Sequence, residues 1–475
     1  MNPIRPAAAA VGAALLLGAC AGLPRATPAP ALRSAAPLAE ATMAGAPAGA
    51  WPRQQWWRRY QDPTLDELVQ RALDRSPTID TARARFDTAQ QQLRLASAAR
   101  GVQIDASATA ERQRLSDNGM FPPAFLGFHW YNQLDLGVRA RYVFDWWGRQ
   151  RAEIAAAVDS ARAAQAEAST AALALAAAVS DTYFGWQADQ QRIALARERL
   201  DVAEHALRII SARVAAGLDR DDAAQRASAL RAAAEEQLAA FEGSAELRRV
   251  LLAALLGCAP AELPPLAARP LPATAAALPA NASIDLIARR ADITASRWRV
   301  EAAVQNVKAA RAQFLPDISL NALAALSSID YGKLFEYGSR APAAGVAVHL
   351  PLFDAGLLRA QHGARQAELR AAIASYDETL IAAARDVGQQ VAIRQQRAAR
   401  AAARAAQAQA VGRVVAAAHR RVEQGVSDLR AELDATQSEI DQRAAALELD
   451  AAAIAADIAL TQALGGGFEA NGNAS

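Results

Sequence analysis

The sequence predicts a mainly helical chain whose two halves each lend a pair of strands to a membrane β-barrel. Three observations carry this. Two very long runs, Arg149 to Ala216 and Leu357 to Gln424, hold no proline and are filled with Ala, Leu, Gln, Glu and Arg, the strong helix formers. Shorter stretches before each run alternate apolar and polar side chains, the period of a strand with one apolar face. The whole arrangement then occurs a second time.

The duplication shows in paired residues. Ile79 matches Ile293, Arg83 matches Arg297, Arg85 matches Arg299 and Ile104 matches Ile318, all at one offset. Phe144-Asp145 then matches Phe353-Asp354, Arg213-Val214 with Gly217 matches Arg421-Val422 with Gly425, and Leu256-Gly257 matches Leu464-Gly465. Repeats this long mean two large structural units rather than a solenoid. The first repeat is placed at residues 51–266 and the second at 280–468. A proline-rich linker, 267–279, joins them, and 469–475 reads as a disordered tail.

Each repeat opens with a helix, Thr78 to Ala99 and Ile293 to Gln313. Two strands follow, Val102 to Arg112 and Asn132 to Asp145 in the first repeat. In the second they are Asp317 to Ser327 and Ala343 to Phe353. The long helix comes next and ends at Gly217 or Gly425, each read as a left-handed residue just past a helix end. A return helix runs on to Leu256 and Leu464. At 1.5 Å per residue the long helices reach about 100 Å, a length normally sustained by coiled-coil-like packing. Leu195, Leu200, Val202, Leu207 and Ile210 supply an apolar stripe, and the alanines between them let neighbours approach closely.

In the strands, Leu134, Leu136, Val138, Ala140, Tyr142 and Phe144 share one face, with Asp135, Arg139 and Arg141 opposite. Asp105, Ser107, Thr109 and Glu111 alternate with Ile104 and alanines. Val346, Val348, Leu350 and Leu352 share a face, with His349 opposite. This pattern suits a transmembrane barrel strand, and a half-buried strand of a soluble sheet alternates identically. The N-terminal signal and the helix lengths favour the barrel. Four strands cannot close a barrel, and open edges are forbidden in lipid, so the chain is expected to oligomerise. Phe125, Phe128, Trp130 and Tyr131 in the hairpin loop suit an interfacial belt, a plug, or packing of the loop on itself.

Where strand becomes helix, Asp145-Trp146-Trp147-Gly148 and Asp354-Ala355-Gly356 make the turn. Gly148 and Gly356 relieve the backbone there. Asp145 and Asp354 stand where they can cap the helix that follows.

The N-terminus carries Arg5, a short apolar run from Ala7 to Leu17, and Leu17-Gly18-Ala19-Cys20. This reads as a lipoprotein signal peptide, 1–19, with Cys20 lipidated. The other reading is an ordinary secretory signal cleaved near Ala19 or Ala21. An Ala/Pro-rich tether, 20–50, follows. Cys258 is the only other cysteine, so no disulfide framework is expected. It reads as a packed thiol near a helix end.

The chain has 475 residues, 52% of them hydrophobic, and a formal net charge of +2. That balance gives no electrostatic case for nucleic acid. His129, His205, His349, His362 and His419 are scattered without metal-ligand spacing, and no glycine-rich phosphate loop occurs. No catalytic chemistry, cofactor or metal is expected.

Taken together, several motifs resemble the TolC-like outer-membrane factors, in particular their OprM/NodT-type efflux lipoproteins. They are the lipobox at Cys20, "WWRRYQDPTLDELVQRAL", "FDWWGR", "ARRADITASRWRVEAA", "LPLFDAGLLRA", "RVEQGVSDLRAELDATQ" and "LTQALGGG", in family order over nearly the whole mature chain. Departures include Ala291, where the family often has proline, and Ala431, where an acid is common. The resemblance implies a homotrimer with a twelve-stranded outer-membrane barrel and a long periplasmic α-barrel. It implies an exit duct for small toxic compounds or drugs, anchored in outer-membrane lipid. A periplasmic adaptor and an inner-membrane pump of the RND or major-facilitator type would be its partners. A duct for type I protein secretion is the alternative; a periplasmic adaptor fits poorly, because the chain has two hairpin units and four strands. In relatives, acids near the helix tips ring and close the pore. Asp434, Glu432, Asp428, Asp219, Asp221 and Asp222 are the candidates here. Converging carboxylates would favour cations; for Asp219 and Asp428, capping of a helix N-terminus explains an acid equally well.

Overall fold

A computed structural model describes residues 24–25, 28, 31–33, 48–49, 51–120, 122–274, 278–279, 289–426 and 428–469. The signal peptide, Cys20 and residues 470–475 of the expected tail lie outside them. Contacts divide the chain into two units. One holds residues 86–164 and 296–376 with the first 32 residues; the other holds 33–85, 165–295 and 377–475.

The first unit is built on a four-stranded antiparallel sheet of β1 (Gln103–Arg114), β2 (Trp130–Phe144), β3 (Asp317–Ser328) and β4 (Ala343–His349), paired in that order. The register keeps faces in step. Ala140 lies opposite Ile104 on β1 and Ala322 on β3, and Ile318 lies opposite Phe144 and Val348. Directly opposed residues share a face, so the apolar sides of four strands merge. β4 is shorter than the sequence suggests. It stops at His349 because Pro351 has no N–H to donate. Leu350 and Leu352 therefore lie beyond the strand, and Phe353 is 90% exposed.

The helices come in pairs of matching length. α2 (Pro77–Ala98) and α5 (Ala291–Ala312) both have 22 residues, and α3 (Arg149–Ala215) and α6 (Leu357–Glu423) both have 67. α4 (Asp221–Leu256) and α7 (Leu429–Ala463) have 36 and 35. Such agreement between long elements is what a tandem duplication leaves behind. The long helices end alike. Leu218 N–H reaches Arg213 C=O at 2.8 Å and Val426 N–H reaches Arg421 C=O at 2.9 Å, while Gly217 and Gly425 take φ of +70° and +67°. This is the six-to-one bond that closes a helix end around a left-handed glycine.

The second unit has a core built on a helix ahead of the first one the sequence predicts: α1 spans Pro63–Arg75 after a short turn of helix at Trp56–Tyr60. Its signals are in the sequence. Asp62 caps it, accepting from Thr64 N–H and Leu65 N–H at 2.9 and 3.3 Å, and Pro63 stands at the first helical position. Leu65, Leu68, Val69 and Ala72 form one fully buried stripe. They pack with Trp56, Trp57, Val179, Tyr183, Leu252 and Ile454. Each large apolar side chain buried here contributes about 1.5–3 kcal/mol. Cys258 is a free thiol packed against this core, as expected.

The linker is not loose. Gln187 Nε2 donates to Ala267 C=O at 2.9 Å, and Arg269 N–H donates to Gln187 Oε1 at 2.7 Å. Leu271 packs on the core. Ala48–Gly49, at the end of the expected tether, pairs in parallel with Leu278–Pro279. Two segments read as irregular thus meet as a short sheet, which no local periodicity could announce.

Candidate functional site

Three regions carry the functional geometry: the strand faces, the strand-to-helix turns and the helix tips.

One face of the sheet is apolar and open. Ile104, Leu136, Val138, Leu320, Val346 and Val348 are exposed on it. Tyr142 and Phe144 stack edge-on at 5.0 Å toward one end, and Trp130 stands at the other under the Arg112 guanidinium. An apolar band between aromatic ends is the outer surface of a membrane barrel. The opposite face is polar: Asp105 lies across from Arg139, and Gln103 across from Arg141. Ser327 Oγ accepts from Gln133 Nε2 at 2.9 Å and donates to an Asp135 oxygen at 2.7 Å. Among the described residues β1 and β4 each have one unpaired edge. No described helix is long and apolar enough to cross a membrane. In the loop, Phe125 is 82% exposed, while Phe128 and Tyr131 pack at 6.4 Å.

Asp145 accepts from Gln150 N–H and Arg151 N–H at 3.0 and 2.9 Å, and Gly148 takes φ +78°. Asp354 accepts from Gly356 N–H at 3.0 Å and Leu358 N–H at 2.7 Å, with Gly356 at φ +89°. Burial works against the Asp145 carboxylate, but the N–H donors of Arg151 and Gln150 outweigh it and hold its pKa below the usual range. The Leu358 and Gly356 N–H groups do the same for Asp354.

The tip acids divide by partner. Asp219 accepts from Arg213 Nε at 2.8 Å and from Arg430 Nη1 at 3.3 Å, and the Arg213 hydrogen bond lowers its pKa. It ties the end of α3 to the start of α7. Asp428 caps α7 through Arg430 N–H at 2.5 Å and lies 4.0 Å from Arg213 Nη1. Asp221 and Asp222 stand in the first turn of α4, where Asp222 pairs with Arg226 at 2.6 Å. Glu432 meets His419 Nδ1 at 2.6 Å. Like Asp221, Asp434 is exposed without an ion pair or cap among the described residues. It lines a groove with Arg199, Arg226, Val202, Ile210 and Leu433. Periodicity does not announce these arginine partners, because Arg213 reaches Asp219 across a turn and Arg430 reaches it from the other hairpin.

His419 carries a pH dependence. The hydrogen bond to Glu432, with Glu423 at 3.2 Å on the other nitrogen, raises its pKa above 6.5. A raised folded-state pKa stabilises fully below the unfolded value and fades as pH rises through the folded value. Amide exchange at the tip is therefore expected to quicken as pH is raised from below 6.5, beyond the intrinsic base-catalysed trend, and His419→Gln should flatten that excess. An equal excess in the variant would refute the contact.

The profile of the outer membrane efflux protein family matches residues 68–258 and 283–466. The chain belongs to this family. The two matched segments lie within residues 51–266 and 280–468. Multidrug resistance outer membrane protein MdtP of Escherichia coli strain K12 is 35% identical over 344 residues, 71% of this chain and 70% of that protein. Putative multidrug resistance outer membrane protein MdtQ of Shigella flexneri is 29% identical over 98% of both chains. The crystal structure of outer membrane protein VceC from Vibrio cholerae superposes with a TM-score of 0.78. It is 32% identical, covering 88% of this chain and all (100%) of that one. The fold is thus that of a TolC-like channel, helical with a membrane β-barrel. This efflux protein resides in the outer membrane, and its family and fold are those of outer-membrane channels.

Proposed function

We propose that the chain is the passive exit duct of a tripartite efflux system, passing small toxic compounds or drugs to the exterior. An inner-membrane pump, of the RND or major-facilitator type, and a periplasmic adaptor would deliver the cargo. The carrying observation is the strand register, which merges four apolar faces and, among the described residues, leaves both sheet edges unpaired. Unpaired edges are not tolerated in lipid, so copies must join edge to edge. A homotrimer makes twelve strands, enough to close. The long helices would line a periplasmic α-barrel. The multidrug resistance in the relatives' names and the efflux family support the cargo class.

At the periplasmic end we assign the gate to Asp434, which is unpaired and lines the tip groove, with Asp219, held by Arg213 of its own hairpin, and Arg430 of the other as a lock that holds the hairpins together. Glu432, Asp428, Asp221 and Asp222 contribute negative potential around it. Single-channel conductance in planar bilayers tests this. Asp434→Ala is expected to raise conductance roughly twofold or more and to weaken block by calcium from one side. Unchanged conductance and unchanged block would remove Asp434 from the gate.

Lipidation at Cys20 would fix the duct to the membrane. Cys20→Ala is expected to lose label in cells fed tagged palmitate. Label retained at the wild-type level would sink this assignment.

A further inference from the structure

A cavity of about 560 Å³ opens beside the first strand-to-helix turn, within the unit that holds the sheet. Trp147, Arg151, Lys308 and Arg311 line it, with Leu315 and Leu369 as apolar wall. Its charge is one-sided. Arg151 is balanced by Asp145 at 3.2 Å. Neither Lys308 nor Arg311 pairs with a carboxylate among the described residues; Lys308 Nζ donates to Gln305 Oε1 at 3.3 Å and Arg311 Nε donates to Pro24 C=O at 2.8 Å. Lys308 is also unusual in kind. The chain has only two lysines, Lys308 and Lys333, against a large excess of arginine.

Pro24 gives the cavity its level. It follows Cys20 by four residues, so an acylated Cys20 would lie within about 14 Å of it. The acyl chains must enter a leaflet. Trp146 and Trp147 are 66% and 51% exposed beside the turn, as an indole belt at a membrane surface would be. Two free cations, an indole and an apolar wall at headgroup depth match a phosphate ester with attached hydrocarbon.

We propose that this cavity binds the headgroup of an anionic phospholipid, with Lys308 and Arg311 on the phosphate and Leu315 and Leu369 against the first acyl carbons. The proposal rests on the reading of the chain as a lipid-anchored outer-membrane duct. It deepens that reading by giving the barrel base a lipid preference.

Amine footprinting of the full-length protein tests it, because Lys333 in the β3–β4 loop serves as an internal reference. The protein is reconstituted in phosphatidylethanolamine vesicles with and without phosphatidylglycerol and pulsed with a membrane-permeant acetylating reagent. Peptide mass spectrometry reads each lysine. Lys308 acetylation is expected to slow several-fold with phosphatidylglycerol while Lys333 stays constant. Arg311→Gln should lose that protection and Arg311→Lys should keep most of it. Equal Lys308 rates in both vesicles would overturn the proposal. So would equal protection by inorganic phosphate in detergent, which would make the site one for free phosphate. Protection that appears only when a periplasmic protein is added would assign the cavity to a protein partner and overturn it as well. Palmitate label is scored on the same samples: label without protection rejects the headgroup site alone, and protection without label rejects only the anchor.

Discussion

Gly465→Ala is expected to prevent folded protein from accumulating in the outer membrane. Gly465 closes α7 with φ +86°, a backbone region costly for alanine. A Cβ there would also lie 1.8 Å from the Arg289 carbonyl oxygen. The obstacle is backbone, which cannot swing aside as a side chain could. Left-handed strain and forced repacking together cost about 3 kcal/mol or more, a large share of any domain's stability. Gly466 and Gly467 are confined similarly, by Leu173 and by the Arg53 backbone. Gly243→Ala is the matched control, because Gly243 sits in α4 with nothing near its missing Cβ. Alanine there should be neutral or stabilising by up to about 1 kcal/mol. Heat-resistant oligomer in outer-membrane fractions reads both variants. Normal oligomer from Gly465→Ala would mean that the close approach at this turn is not present.

Asp457→Ala is expected to lower stability by about 2–3 kcal/mol, at the low end for a broken buried pair because Arg59 keeps some contact with water. The Asp457 side chain is 6% exposed and that of Arg59 is 39% exposed. Asp457 Oδ2 accepts from Arg59 Nη2 and from Tyr60 OH, each at 2.6 Å, and Arg59 Nη2 also reaches Thr461 Oγ1 at 2.7 Å. Burial, followed by the Asp457 charge, pushes the Tyr60 hydroxyl well above its ordinary pKa, so it stays a donor. Removing the carboxylate strands a cation and a hydroxyl together. Arg59→Met in the same chain should recover part of the loss, because it removes the stranded charge. The temperature at which the oligomer dissociates in detergent measures this. Additive losses in the double variant would show that the two side chains are not coupled.

Much of this architecture was legible because long elements broadcast their period. A proline-free run of helix formers can hardly be anything but α3 or α6. The glycines at 217 and 425 mark ends that local geometry alone demands. Asp145 and Asp354 cap within a few residues, so their roles too could be read from spacing. Helix α1 is hard to read because its apolar stripe is short, although Asp62-Pro63 announces its start. β4 ends before the expected Phe353 because alternation continues through Leu350 and Leu352 past Pro351, which cannot donate to the ladder.

The tips show where sequence reading stops. Six acids stood out by position, but their partners did not, since Arg213 meets Asp219 across a turn and Arg430 reaches it from the other repeat. The same holds for Arg59 with Asp457, nearly four hundred residues apart. Patterning along the chain determined most of the elements and their order, because these follow from periods and backbone limits that act locally. Register across the sheet, the seat of the linker, the sorting of the tip acids and the cations left free beside Trp147 were decided only by tertiary packing. Each depends on which distant side chains arrive within hydrogen-bond reach, and charge neutralisation is a property of that arrival rather than of the residue itself.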